Sequence, residues 1–254
     1  AADPRNVVAA NNMYDAEYIR FFAGVDALYI PSFCGYAAHA TYSPDFQRRV
    51  LIARNHNNPR ALLSRLHKAA RLEIRSSRPA NGAIRGELAS TKALQFVRTE
   101  EVYPNGFEYT DLARHPAVVI VPYTKSVMSF FELYRMNVPL FAPSVTLLSK
   151  WESEHSVLSE RIYWRNARRT KRYANTTNLS PNTRTRPEAL AHWLALCDFY
   201  NFPNITYFDS WEHLLVQLRA APLAAISEAM RVANVRLLEE LRLTWRQLFM
   251  RMFG

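Results

Sequence analysis

Unbroken apolar runs and apolar residues at helical spacing follow one another in turn along this chain. The clearest case runs from His115 to Ser144. Residues 117–121 (AVVIV) are continuously apolar and rich in β-branched side chains, the pattern of a strand buried on both faces. Pro122 ends the run, and Tyr123, Thr124, Lys125 and Ser126 form a polar turn. Residues 127–136 then carry Phe130, Leu133 and Tyr134 at helical spacing, with Val127 and Phe131 beside them, which predicts a well-buried helix. Asn137 closes that helix, and 138–142 returns as a second strand. The alternation extends in both directions. Residues 49–54 (RVLIAR), 93–98 (ALQFVR) and 205–208 read as strands. Residues 59–72 (with Pro at the start), 108–114, 145–155, 187–200 and 210–218 read as helices. Strand and helix in rotation predict an α/β fold, a parallel sheet covered by helices on both faces.

The two ends depart from this order. Residues 11–23 form an amphipathic helix followed by a strand at 27–30. Residues 222–253 read as one long helix or two. Ile226, Met230, Ala233, Leu237, Leu241, Leu248 and Met252 make an apolar stripe opposed by Arg231, Glu239, Arg242 and Arg246. Such a helix is expected to pack along the domain. The organisation this predicts is an N-terminal region at 1–45, a sheet domain at 46–220 and a C-terminal helix at 221–254.

Composition narrows the picture. A chain of 254 residues, 49% of them hydrophobic, can bury a large core. Its apolar runs fall far short of a membrane span, and Ala1-Ala2 points to a processed or trimmed start. Cys34 and Cys197 are too few for a disulfide scaffold or a cysteine-based zinc site; one bridge is possible in principle, and two buried thiols are the expectation. Asn175, Asn178 and Asn204 open N-x-S/T triplets, which matter only in a secretory compartment. The net charge of +10 is concentrated. Arg161, Arg165, Arg168, Arg169, Lys171, Arg172, Arg184 and Arg186 lie in one stretch without Asp or Glu, around the loop-like YANTTNLSPNT. This is a solvated surface loop, a clamp for a diphosphate or acidic acceptor, or a polyanion patch. With only Tyr163, Trp164 and Tyr173 for base stacking, nucleic acid is the weaker of these partners.

Candidate chemistry sits at the turn 123–126. In open parallel sheets ligands bind beyond the carboxyl ends of the strands, where helix N-termini attract anions. Hydroxyls and a lysine at that junction point to a phosphate-bearing ligand. There is no G-x-G-x-x-G and no P-loop, and the chain has only six glycines. Asp-x-Asp is also absent. Its nearest approach, Asp15-Ala16-Glu17, falls in a predicted helix, where a surface role is expected.

The segment VPYTKSVMSFFELYRMNVPLFAPS, within residues 46–215, resembles the nucleotide-sugar-binding half of GT-B glycosyltransferases, in particular a small xylosyltransferase-like family of the large algal viruses (chloroviruses) and of algae. The order is polar turn, Ser126-x-x-Ser129, Glu132 in the helix, then Asn137-Val138-Pro139 where common GT-B enzymes have Gly-x-Pro. The resemblance implies a GT-B-type sheet with a reduced N-terminal acceptor region. It implies an inverting, metal-independent glycosyltransferase that moves a sugar, xylose by this likeness, from a UDP-sugar donor to a glycan hydroxyl. The expected partners are the nucleotide sugar and a glycan acceptor, with no cofactor besides the donor substrate. The expected setting is a soluble protein of an infected or algal cell, in the cytoplasm or a secretory lumen. Residues 1–45 are too few for a whole first Rossmann-like domain. Either that domain is reduced, or an upstream part has been removed, or segments such as 73–92 help to build it.

Site residues follow from these expectations. Glycosyl transfer must hold the leaving diphosphate, grip the nucleoside and deprotonate the acceptor. Ser126 and Ser129 would offer hydroxyls and nearby backbone N–H groups to the diphosphate, and Lys125 and Arg54 positive charge, a metal-free arrangement. Glu132 would accept from the ribose hydroxyls, the role the resemblance gives it. On the residues alone, Ser129 to Glu132 also reads as a capping box. Tyr123 could line the pocket, and Tyr103 and Phe107 could contact the base. For the catalytic base, Asp45 ranks above His39, each with a structural alternative as a turn or capping residue. His56 is a third candidate, better placed for the diphosphate. The competing class is a non-catalytic polyanion or nucleic-acid binder working through the 161–186 loop.

Overall fold

The structure, a computed structural model, describes residues 3, 5–46, 48–55, 60–76, 94–159, 177–182 and 186–253. It opens on a small unit. β1 (Ala9–Ala10), α1 (Met13–Ala23) and β2 (Leu28–Tyr29) form a β-α-β turn of chain whose two strands pair in parallel. Asn12 caps α1 by accepting the Asp15 N–H (2.6 Å), and Gly24 ends it in the left-handed region (φ 67°). A 3₁₀ turn at Gly35–His39 then leads toward the main sheet.

That sheet is built from β3 (Arg49–Ile52), β4 (Gln95–Arg98), β5 (Val118–Val119), β6 (Leu140–Pro143) and β7 (Thr206–Phe208). Every pairing is parallel, and the order is β4-β3-β5-β6-β7. The connecting helices are α2 (Arg60–Ser76), α3 (Thr99–Val102), α4 (Tyr109–Ala113), α5 (Met128–Arg135), α6 (Val145–His155), α7 (Pro187–Leu194) and α8 (Trp211–Ala220); α9 (Leu223–Phe253) follows. The chain is therefore α/β, with a parallel sheet and a long C-terminal helix, as its apolar pattern predicts. The run 117–121 is the central strand. Its residues are all buried, and its ladder reaches beyond β5, with Leu51 and Ala53 N–H donating to Ala117 and Val119 carbonyls.

Asn137 is where α5 turns back into the sheet. It takes the left-handed conformation (φ 60°), its N–H donates to the Tyr134 carbonyl, and Val138 N–H reaches back to Leu133. These two bonds form a Schellman C-cap, in which asparagine is the commonest substitute for glycine. Asn234 of α9 completes the corner: its buried side-chain amide donates to Asn137 Oδ1 (2.7 Å) and to the Tyr134 carbonyl (2.9 Å).

Some expectations need correction. Residues 187–200 are not one helix. Asn201 Nδ2 takes the carbonyls of Ala195 (3.1 Å) and Cys197 (2.8 Å), Cys197 is extended (ψ 149°), and a 3₁₀ turn follows at Asp198–Tyr200. β1 and α3 had no periodic signal, being two and four residues long. Cys34 and Cys197 are both buried thiols in no disulfide bond. Segments 73–92 and 161–186 lie largely outside the described residues, so neither the added acceptor element nor the basic loop is placed.

The aromatic seam between α1 and α7 joins the small unit to the large one. Tyr14, Tyr18 and Phe21 pack around Trp193, with ring centroids 5.2, 6.2 and 5.9 Å from it. The Asn234 corner gives a direct test of how α9 is held. Asn234→Ala leaves the buried Asn137 amide oxygen without its donor and takes one donor from the Tyr134 carbonyl, and should cost about 1–3 kcal/mol in urea unfolding.

Candidate functional site

The strand order reverses between β3 and β5, because β3 sends the chain one way to β4 while β5 continues the other way to β6 and β7. In an open parallel sheet this reversal parts the loops beyond the carboxyl ends and leaves a crevice there. Here it is lined by Ala53, Arg54, Ile120, Val121, Tyr123, Val127, Ser129, Phe130 and Leu133. Of the expected binding residues, Arg54, Tyr123 and Ser129 thus come together. Asn55 closes the floor, its Nδ2 donating to the Val121 carbonyl (2.8 Å), and Thr99 ties α3 to the end of β3 through the Ile52 carbonyl (3.0 Å). The crevice encloses only about 10 Å³. A ligand would lie across its rim, where Arg54 is exposed.

Lys125 is not on that rim. Its side chain is 8% exposed, with Nζ 3.7 Å from Asp15 Oδ1 and 5.6 Å from the centre of the Tyr14 ring. This corrects two expectations: Lys125 is a buried cation at the seam with α1, and Asp15 is its half-buried partner and not a surface residue. Asp198 lies alongside, fully buried, its N–H reaching the Lys125 carbonyl (3.4 Å). Burial, with the Asp15 charge adding to it, pushes the Asp198 carboxyl up to about 7, against a smaller opposing pull from Ser126. Ser126 is thus near Asp198, although neither carboxyl oxygen meets a donor in hydrogen-bond geometry.

Glu132 stands one turn beyond Ser129 on α5 and faces the 35–39 turn. Its Oε1 accepts from Tyr36 Oη (2.8 Å) and Tyr109 Oη (2.9 Å). The capping-box reading fails, because α5 begins at Met128 with Val127 as its cap. The Tyr36 hydroxyl also lies 3.4 Å from Cys34 Sγ. That contact, burial and the Glu132 carboxylate all raise its pKa, while burial first and Glu132 second raise that of Tyr109. Cys34 itself is held at φ 50°, an uncommon conformation for a side chain with Cβ. His39 belongs to the same cluster, its ring 5.9 Å from Tyr109. Its Nδ1 lies 2.9 Å from the Tyr36 carbonyl, so Nδ1 carries a hydrogen, and Nε2 has no partner among the described residues. The group Cys34, Tyr36, His39, Tyr109 and Glu132 is drawn from three separate segments, which is why only His39 and Glu132 were visible in the sequence.

The other expected residues lie elsewhere. Asp45 precedes β3 at the amino end of the sheet and pairs with Arg114 (2.9 Å), away from the crevice. Tyr103 is also a scaffold residue. His115 donates Nδ1–H to the Arg49 carbonyl (2.7 Å), and its Nε2 accepts from Tyr103 Oη (2.9 Å). Burial lowers the His115 pKa and keeps that tautomer neutral. Phe107 packs edge-on against Tyr103 at the surface. His56 lies outside the described residues.

A roomier cleft of about 690 Å³ opens between α9, residues 29–31 and residues 201–204. Tyr134 in its wall marks it as belonging to the end of α5 opposite Ser129, so it is remote from the crevice. No protein-family model, curated protein or solved structure matches this chain.

The Asp198 carboxyl sets a pH dependence whose sign is fixed. Folded, it keeps its proton up to about pH 7; unfolded, it releases it near 3.8. Between those values the folded state binds the extra proton, so stability falls as pH rises and levels off above 7. Asp198→Asn should flatten that slope and raise stability at pH 8 by an amount on the order of a few kcal/mol, read by denaturant titrations across the range.

Proposed function

We propose that this chain is a glycosyltransferase of GT-B-like architecture that draws a sugar from a nucleoside-diphosphate donor without a metal. The observation that carries the reading is the convergence of Arg54, Tyr123 and Ser129 on the crevice where the strand order reverses. That is where a parallel sheet receives a nucleotide. The Arg54 guanidinium can grip a diphosphate bidentately and hold its growing charge as the glycosidic bond breaks. Ser129, in the first turn of α5, adds a hydroxyl beside the positive end of the helix. Lys125, being buried and paired, contributes position in place of direct contact.

The Glu132 cluster supplies the other half of the chemistry. With Oε1 committed to two tyrosines, Oε2 is left for a hydroxyl of the donor, the ribose by the resemblance. His39 replaces Asp45 as the preferred base, since its Nε2 is available and Asp45 is engaged by Arg114. UDP-xylose is the donor the resemblance points to, with a glycan hydroxyl as acceptor.

Thermal-shift binding against UDP, GDP, UDP-xylose, UDP-glucose, UDP-GlcNAc and GDP-sugars, with and without EDTA, tests this. A ligand at about one hundred times its dissociation constant adds about 2.7 kcal/mol of apparent stability. The expected result is a shift with UDP-xylose that survives EDTA and is lost in Arg54→Ala and Glu132→Ala. His39→Ala should keep the shift and lose sugar transfer. Silence with every nucleotide sinks the proposal, and steeply salt-dependent binding of polyanions in its place would favour the basic loop.

A further inference from the structure

α9 is anchored along its first two-thirds and uncovered at its end. Met230 and Asn234 are buried against the sheet domain, and Leu241 and Leu248 against Ile30, with Val7 and Phe33 beside them. Around Leu248, however, Leu243, Trp245, Phe249, Met250, Met252 and Phe253 are all exposed, Phe253 by 77% and Met250 by 67%. Three of these rings form a ladder one helical turn apart, Trp245 to Phe249 at 6.0 Å and Phe249 to Phe253 at 6.1 Å. Burying such side chains is worth about 1.5–3 kcal/mol each, so leaving them all in water is costly.

Charge says what covers them. After Glu240 the helix has no acidic residue, while Arg242, Arg246 and Arg251 contribute three of the positive charges of a chain whose net charge is +10. Arg242 and Arg246 are exposed and make no ion pair among the described residues. At 3.6 residues per turn the exposed apolar side chains cover about half of the circumference, and both arginines fall inside that arc. A seam between two copies needs a narrower stripe with the charges at its flanks, and its arginines would face each other. Lipid phosphates meet the same arginines with opposite charge, while the stems and rings enter the acyl boundary.

We infer that residues 242–253 of α9 dock on an anionic lipid bilayer, lying in its interface. No described helix is long and apolar enough to cross a membrane, so the contact is peripheral. A single helix of this kind binds reversibly and depends on salt.

The test is co-sedimentation of the intact chain with vesicles of phosphatidylcholine alone and of phosphatidylcholine with phosphatidylserine, at low and high salt. Binding to the anionic vesicles only, weakened by salt, is expected, with a blue shift of emission that Trp245→Phe removes. Trp245→Ala with Phe249→Ala should lower partitioning at least about tenfold. Arg242→Gln and Arg246→Gln should each lower it about fivefold. All four sites are exposed, so unchanged circular dichroism separates lost binding from lost folding. Absence of binding by the unaltered chain overturns the inference. So does binding that the variants leave intact, which would assign it to the basic stretch around residues 161–186. A concentration-dependent dimer in solution that Phe249→Glu dissolves would assign the face to a second copy and overturn it as well.

Discussion

The buried ammonium of Lys125 decides how the functional end of the sheet is arranged. A cation this far from water must be paired, and here the pairing comes from outside its own domain, through Asp15 of α1 and the face of Tyr14. The turn after β5 is thereby fastened to the N-terminal unit at the point where the aromatic seam with Trp193 already holds it. The balance of charge then extends one residue further. Asp198, whose N–H meets the Lys125 carbonyl, is deeply buried and near enough to Asp15 to feel its charge. Keeping the Asp198 proton to about pH 7 spares this buried position a second negative charge beside Asp15. With Lys125 buried, Arg54 is the exposed cation among the described residues that line the crevice.

α5 transmits that arrangement to the rest of the site. Its first turn borders the crevice through Ser129, its middle presents Glu132 to the tyrosines, and its end is fixed by the Asn137 cap and the Asn234 amide. A helix held at both ends positions two polar side chains one turn apart far better than a loop could. Precision at Glu132 therefore depends on α9, which touches neither the crevice nor the tyrosines. The strained Cys34 backbone belongs to the same economy of position. The 35–39 turn must bring Tyr36 over α5, and a left-handed residue just before it redirects the chain.

The fold was legible because its signals are local. Continuous β-branched runs named the strands, and Asn137 marked the end of α5. Where the reading slipped, a side chain from elsewhere had intervened. Asn201 took the carbonyls that would have continued α7, and its competition with the backbone is invisible to periodicity. The site was legible only in part, for the same reason. Arg54, Tyr123 and Ser129 lie next to strand ends, so their convergence follows from topology. The fate of Lys125 depended on a carboxylate more than a hundred positions earlier in the chain, and that of Tyr103 on the tautomer of His115. Asp45 illustrates the opposite error: placed near a domain junction by sequence, it stands at the wrong end of β3 and is bound to Arg114.

α9 shows the limit of periodicity most plainly. Its apolar stripe from Ile226 to Met252 reads as one packing face, and over the first two-thirds it is one. Beyond Leu241, Ile30, Val7 and Phe33 are the residues outside the helix that cluster with Leu248 among the described residues, while the helix continues for several turns past the surface it was expected to cover. The stripe is unbroken because the helix continues, and its far end has apolar residues off the stripe as well, at Leu243 and Met250. An apolar arc wider than the packing face, carrying arginines and no acid, obeys a different requirement from the core. The first part of the helix is selected for fit against Asn137 and Tyr134, and the last for a surface that the domain itself does not supply.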